Sequence, residues 1–220
     1  MFCCLRTCFN GELRTPVAAQ RPREPDIQLD TANMGHEVVI VKNGKRLCGS
    51  GGALATAPLV QSKSYFEVKI QQSGMWAVGI ATRQTDLNKT RGGSDKDSWT
   101  LCSDNTIRNN DQTLLTIKGI EQSTASIITD ESLASVVTTE PMQHTCLPSE
   151  GDTIGIAYDH VELNFYLNGK NLEVPVLNIK GTVYPALYVD DGAILDIILD
   201  NFSFSPPAGF DKIMIEQSLL

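Results

Sequence analysis

Three histidines and six cysteines are the residues in this chain best suited to hold a metal ion or to act in nucleophilic catalysis. Zinc sites usually take their ligands as closely spaced pairs, and the sequence has no Cys-x-x-Cys motif. A serine or cysteine nucleophile also needs a histidine base and an orienting acid within reach, and no local arrangement supplies them. Outside the first 25 residues, the histidines and cysteines are scattered: His36, Cys48, Cys102, His144, Cys146 and His160. We therefore expect no metal site, no cofactor and no enzymatic activity.

A glycine-rich stretch, Cys48-Gly49-Ser50-Gly51-Gly52, is the segment that comes nearest to a phosphate-binding loop. It lacks the Lys-Ser/Thr pair of such loops, and no helical pattern follows it. The sequence predicts a tight turn at this position instead of a phosphate site.

Two adjacent acids, Asp190 and Asp191, follow a predicted strand over residues 183–189 and precede Gly192. Loops at strand ends often carry binding residues. The pair fits an ordinary polar turn, an acidic spot that contacts a partner, or a calcium site. Calcium has the least support because no other acidic ligands cluster nearby in the sequence.

Three cysteines near the N-terminus, Cys3, Cys4 and Cys8, lie close to Arg6 and Arg14. S-acylation of these thiols, helped by the arginines, would give the two membrane signals that stable anchoring requires. The alternatives are inert thiols in a disordered segment, or metal binding. The sequence alone leaves these three interpretations open.

The elements that would position these residues are β-strands. Two Asn-Gly pairs, Asn43-Gly44 and Asn168-Gly169, each lie between short apolar runs. Asn-Gly supplies the positive φ angles that a two-residue hairpin turn needs. We therefore predict a hairpin at each pair.

Alternation of residue types predicts further strands. Over residues 64–70, Phe66, Val68 and Ile70 share one face, and Glu67 and Lys69 are expected to face water.

In the next predicted strand, residues 75–82, large apolar side chains alternate with Ala77, Gly79 and Ala81. The small face indicates close packing, as in the middle of a sandwich.

Strands at similar spacing follow over residues 153–158, 161–167, 183–189 and 194–199. This spacing favours an antiparallel, all-β sandwich or barrel. Residues 119–145 break the pattern with nine Ser or Thr among 27 residues. We predict a surface loop there, with a small extra hairpin as the alternative.

Charge divides the chain into two parts. Residues 1–25 have a net charge of +2, whereas residues 26–220 contain 14 basic and 24 acidic side chains. An acidic body argues against nucleic acid as the partner, since phosphate neutralisation needs clustered Lys and Arg. Without a signal core or an apolar stretch long enough to span a membrane, we expect a cytoplasmic protein with free thiols, and a monomer.

Six pieces of the chain, in order, resemble a SPRY domain. They are Ser64-Tyr65-Phe66-Glu67-Val68, Trp76-Ala77-Val78-Gly79-Ile80-Ala81, Asp97-Ser98-Trp99, Glu150-Gly151-Asp152-Thr153-Ile154-Gly155-Ile156, Leu163-Asn164-Phe165-Tyr166-Leu167-Asn168-Gly169 and Val183-Tyr184-Pro185-Ala186-Leu187. Residues 26–42, the irregular C-terminal segment Pro206-Pro207-Ala208-Gly209-Phe210 and the Cys3–Arg6 segment also resemble a member of this family. The chain departs from the pattern at Thr100, where the family commonly has Gly, and in the long 119–145 segment.

This resemblance implies a concanavalin A-like, jelly-roll antiparallel sandwich, which we place at residues 26–220. The mixed composition and the prolines of residues 1–25 predict a flexible tail before it. It also implies binding of a protein or peptide through loops at one end, without chemistry; a glycan-binding, lectin-like domain is the alternative. Membrane contact is expected only if the N-terminal cysteines are acylated. Within the predicted loops, the side chains best suited to contact a partner are Asn88, Arg91, Asp95, Tyr188, Asp190 and Asp191.

Overall fold

The computed structural model describes residues 26–117, 120–121 and 145–215. Within these ranges, no helix is long and apolar enough to cross a membrane. In chain order, the strands are β1 (Leu29–Met34), β2 (Glu37–Val41), β3 (Arg46–Ala55), β4 (Ser64–Gln72), β5 (Met75–Ala81), β6 (Ser98–Cys102), β7 (Thr106–Asn109), β8 (Gln112–Thr116), β9 (Ile120–Glu121), β10 (Thr145–Cys146), β11 (Thr153–Tyr158), β12 (Glu162–Leu167), β13 (Lys170–Asn171), β14 (Val176–Leu177), β15 (Tyr184–Asp190), β16 (Ile194–Ile198) and β17 (Asp211–Lys212).

Two predicted segments fall largely outside these residues. The tail, residues 1–25, lies outside them completely. Of the predicted 119–145 insertion, only the two short strands β9 and β10 are described, and they pair with each other antiparallel.

The strands form two sheets that share β3. The first sheet has the order β1-β3-β15-β5-β6-β7-β8, and the second has the order β2-β3-β16-β4-β11-β12. Pairing is antiparallel except between β17 and β4. The predicted all-β, antiparallel jelly-roll sandwich is confirmed.

The glycine-rich stretch is the point where β3 passes from one sheet to the other. Residues up to Ser50 pair with β2, and residues from Gly51 onward pair with β15. Gly49 and Gly51 have φ angles of 97° and 119°, in the region that side chains other than glycine rarely adopt. The predicted tight turn is therefore wrong: the stretch is a continuous strand that changes sheets.

The main core lies between the two sheets. Phe66, Val68 and Ile70 on β4 are at most 1% exposed, as are Val78 and Ile80 on β5. The apolar faces of both predicted strands therefore pack in the core, as their alternation predicts.

The prediction that the outer face of β4 meets water is wrong at Glu67, whereas Lys69 on the same face is only partly buried. Glu67 is completely buried beneath the strap, which we define as residues 199–215. Its carboxyl group accepts hydrogen bonds from the Ser203 N–H at 2.7 Å, the Phe204 N–H at 3.0 Å and the Tyr65 hydroxyl at 3.1 Å. Three donors compensate for the lost hydration, so a glutamate can occupy this buried position.

Both Asn-Gly pairs form hairpins, but with different loops. Asn168-Gly169 is a two-residue turn in which Leu167 pairs with Lys170. Asn43-Gly44 lies within a four-residue connection, because the last pair before it joins Val41 to Arg46. The second loop is two residues longer than predicted.

Candidate functional site

A long loop covers the outer face of the first sheet. This covering loop, residues 82–97, connects β5 to β6. Beneath it, Ala77 and Ala81 of β5 form a small second core with Tyr188 and the partly buried Leu87. The small face of β5 thus receives a loop, whereas the sequence predicted the middle of the sandwich.

Tyr188 lies under the covering loop, and it is 1% exposed. Its ring lies between two glycines: a Cβ atom on Gly52 would be 2.5 Å from the ring, and one on Gly92 would be 2.7 Å from it. The hydroxyl makes a 2.8 Å hydrogen bond with Thr85 Oγ1. Burial raises the pKa of the Tyr188 hydroxyl above its ordinary value, so it stays protonated.

Asp95 holds the base of the covering loop together. Its Oδ2 accepts hydrogen bonds from Thr85 Oγ1 at 2.9 Å and from the Asp86 N–H at 2.8 Å. Its Oδ1 accepts from the Asp97 N–H at 2.9 Å and the Ser98 hydroxyl at 3.0 Å. One half-buried carboxyl group therefore ties both arms of the loop to each other and, through Thr85, to the sheet.

Gly51 and Gly52 of β3 contact the backbone of the covering loop at Leu87. The Gly52 N–H donates to the Leu87 carbonyl oxygen at 2.8 Å. A Cβ atom on Gly51 would lie 2.8 Å from that oxygen, and one on Gly35 would lie closer still. Backbone can approach backbone here only because these positions lack side chains. Sequence reasoning missed this role, although the glycine-rich stretch was its visible signal.

The tip of the covering loop carries two of the predicted contact residues. Asn88 is exposed, and its Oδ1 accepts a 3.0 Å hydrogen bond from the His36 N–H in the β1–β2 turn. Arg91 forms an ion pair with Asp104 of the β6–β7 turn at 2.5 Å. Although partial burial opposes the shift, the hydrogen bond from Thr106 and the charge of Arg91 hold the pKa of Asp104 below its ordinary value.

Asp190 and Asp191 lie in the turn that joins the two sheets. The Ala193 N–H donates to the Asp190 carbonyl oxygen at 3.0 Å, and Asp191 and Gly192 both have positive φ angles, 48° and 78°. The pair therefore adopts the polar turn that the sequence offered as one interpretation. Asp190 also pairs with Met75 at the start of β5.

These turns occupy one end of the sandwich, which we call the loop end. The Ser103 N–H, next to Asp104, donates to the Trp76 carbonyl oxygen at 2.9 Å, and Met75 beside Trp76 pairs with Asp190. The structure thus brings Asn88, Arg91, Asp190 and Asp191 to the same end. It places the other two predicted residues differently: Tyr188 is buried and Asp95 lies in the loop base. The role of all six in partner binding stays a prediction.

The described residues contain no group of three or more His, Cys, Asp or Glu side chains arranged to hold a metal ion. Of the two cysteines described in detail, Cys102 is buried, and burial raises its pKa to about 11. Its thiolate, the reactive form, is therefore scarce at neutral pH. The predicted acylation sites Cys3, Cys4 and Cys8 lie outside the described residues.

Comparisons with known proteins agree on the family. The SPRY domain profile matches residues 63–202. The chain is 44% identical to SPRY domain-containing protein 7 from Homo sapiens over 220 residues, covering 100% of this chain and 97% of the relative. It is equally similar to the protein of that name from Gallus gallus.

Solved structures show the same fold at low sequence identity. The TRIM65 PSpry domain aligns with a TM-score of 0.50 and 12% identity, covering 79% of this chain and 89% of that chain. Stonustoxin aligns with a TM-score of 0.51 and 13% identity, covering 79% of this chain and 27% of the toxin chain. With the profile match and the full-length relatives, these results show that the chain belongs to the SPRY domain family.

Proposed function

We propose that this protein is a non-catalytic adaptor that recognises a protein or peptide through its loop end. SPRY domains are in general protein-interaction modules, which supports the class of function. The observation that carries the proposal is the fixing of the covering loop. Its base is tied by Asp95 and Thr85, its far part rests on Gly52, and its tip presents Asn88 and Arg91. A loop fixed before binding loses less conformational entropy when a partner binds.

The polarity of the loop end indicates the kind of contact. Arg91 and Asp104 are both about one-third exposed, and Asp191 is exposed in its turn. These groups are suited to the polar rim of an interface, where charge fixes orientation and selects partners. Met75, 36% exposed beside Asp190, offers an apolar contact at the same end.

A paired-variant experiment tests this proposal. Proximity labelling in cells would compare the wild type with Asn88→Ala/Arg91→Ala and Asp190→Ala/Asp191→Ala variants. Lys170→Ala, in the exposed β13 strand, serves as the control. Labelled proteins lost in both loop-end variants but kept by the control are then purified and titrated by calorimetry.

We expect each double variant to weaken the direct partner at least about tenfold, since interface hot spots contribute more than about 1–2 kcal/mol. The melting temperature of each variant should stay close to the wild-type value, because Asn88 and Asp191 are exposed and Arg91 and Asp190 are only partly buried. A partner bound with unchanged affinity by both loop-end variants would show that recognition occurs elsewhere. The lectin alternative has no metal-ligand cluster among the described residues to support it, and it stays untested.

A further inference from the structure

Exposed apolar side chains cluster at the end of the sandwich opposite the loop end. Val60 is 44% exposed, Val161 70%, Met214 53% and Ile215 38%. β4 runs from this end at Ser64 to the loop end at Gln72, so the two surfaces face away from each other. Single exposed apolar residues are ordinary, but several at the same end of a fold form a candidate binding surface. We call these four residues the apolar patch.

Hydrogen bonds from Gln61 hold the patch in place. Its side-chain Nε2 donates to the Lys212 carbonyl oxygen at 2.8 Å, and its Oε1 accepts from the Met214 N–H at 2.8 Å. Its backbone oxygen lies 2.9 Å from His160 Nε2, next to Val161. One residue thus joins the three segments that carry the patch. The patch therefore lies on three backbone segments that these hydrogen bonds hold together.

The N-terminal tail joins the fold close to this patch. The Thr56 N–H donates to the Gln28 carbonyl oxygen at 2.8 Å, which fixes the start of the described chain at this position. Val60 follows Thr56 by four residues, a distance of at most about 14 Å along the chain. Residues 14–25 could span about 40 Å when extended, so residues 2–13 can reach every part of the patch.

The composition of residues 2–13 complements this surface. Phe2, Leu5, Phe9 and Leu13 recur every three or four residues and supply apolar groups. Residues 2–13 contain one basic and one acidic side chain, Arg6 and Glu12, so this segment can enter an apolar surface without adding net side-chain charge. Because the segment is tethered within reach of the patch, its effective concentration there favours it over a second copy of the protein or a membrane surface.

We propose that the apolar patch binds residues 2–13 of the same chain, with Phe2, Leu5 and Phe9 as the anchors. This contact would hold Cys3, Cys4 and Cys8 against the domain. It is independent of partner binding at the loop end, which lies at the opposite end of the sandwich. The contact between the tail and the patch would then be intramolecular.

Methyl NMR on the full-length protein tests this inference. Selective ¹³C labelling of the methionine methyl groups gives one reporter in the patch, Met214, and one at the loop end, Met75, which is 36% exposed. The test variant replaces the three anchors: Phe2→Ser, Leu5→Ser and Phe9→Ser. The matched control is Val17→Ser, an apolar-to-polar change in the same tail outside the anchor set.

We expect the Met214 methyl resonance to shift in the triple variant, while the Met75 resonance and the Val17→Ser spectrum stay at wild-type positions. The shift should be independent of protein concentration. An unchanged Met214 resonance would overturn the inference. It would also be overturned if Met214 shifted on dilution of the wild type, which would identify a second copy as the occupant, or only on addition of phosphatidylcholine–phosphatidylserine vesicles, which would identify a lipid surface.

Discussion

The two outer faces of the sandwich are covered in the same way, yet the covers differ in where they are anchored. On the second sheet, Tyr65 lies under the strap and donates to Glu67 at 3.1 Å. On the first sheet, Tyr188 lies under the covering loop, and its hydroxyl makes a 2.8 Å hydrogen bond with Thr85 Oγ1. The Thr85 hydroxyl in turn donates a hydrogen bond to Asp95. Each face thus uses a buried tyrosine whose hydroxyl is linked to an acidic side chain.

The difference is the position of the acid. Glu67 belongs to the sheet, is completely buried, and binds the backbone of the strap. Asp95 belongs to the loop itself, is half-buried, and binds mainly loop groups. The strap is therefore fastened to the sheet along its length, whereas the covering loop is fastened at its base and keeps a polar, partly exposed tip. We expect the first cover to contribute mainly to stability, and the second to hold the residues through which we propose that a partner binds.

The largest effect should come from removing the anchor of the strap. Glu67→Ala leaves the buried Tyr65 hydroxyl and the part-buried Ser203 and Phe204 N–H groups without their acceptor, and a buried donor without a partner costs about 1–3 kcal/mol. We expect a loss of at least about 3 kcal/mol in the free energy of unfolding, measured by urea denaturation.

Lys69→Ala, on the same face of β4 but only partly buried, is the matched control and should change stability by under about 1 kcal/mol. If Glu67→Ala and the control were equally stable, the strap would not depend on this carboxyl group, and the contrast between the two covers would be lost.

A smaller effect is expected from Asp95→Ala, because the loop it ties is closer to solvent. Four donors lose their acceptor, but those near the surface regain water, so we expect a cost of about 1–2 kcal/mol. Hydrogen exchange should accelerate within residues 82–97 and stay unchanged in the strap. The exposed Lys96→Ala is the control; equal acceleration in both variants would argue against Asp95 as the organising residue.

The sequence predicted the strands and the core faces well, because alternation reports directly which face of a strand is apolar. Phe66, Val68 and Ile70 are buried as that pattern requires. The same rule failed for Glu67, since alternation cannot reveal that a segment more than 130 residues away covers the polar face.

The partner-contact residues were predicted from their position in loops and their side-chain type. Neither property indicates whether a side chain is buried or exposed. Tyr188 follows the amphipathic pattern of an interface residue, yet Gly52 and Gly92 leave space for its ring beneath the loop. This space depends on two glycines far apart in the sequence, one in β3 and one in the covering loop, that both contact the ring. The turn residues Asp190 and Asp191 were placed correctly because Asp-Gly is a local signal for a turn.

The smallest effect concerns the tip of the covering loop, where Arg91 faces Asp104. The lowered pKa of Asp104 means that its charged form is stabilised in the folded protein, so this contribution to stability is present above the unfolded pKa of about 3.9 and is lost as the pH falls through the folded pKa. Arg91→Ala should raise the pKa of Asp104 towards its ordinary value, although the Thr106 hydrogen bonds remain.

The change in stability at neutral pH should be below about 1 kcal/mol, since both side chains are partly exposed and screened. A carboxyl-detected NMR titration of Asp104 measures the pKa directly, and Lys89→Ala, an exposed tip residue outside this pair, is the control. An unchanged Asp104 titration in Arg91→Ala would mean that the Arg91–Asp104 ion pair does not persist in solution. Arg91 could then bind an acidic side chain of a partner without first breaking this ion pair.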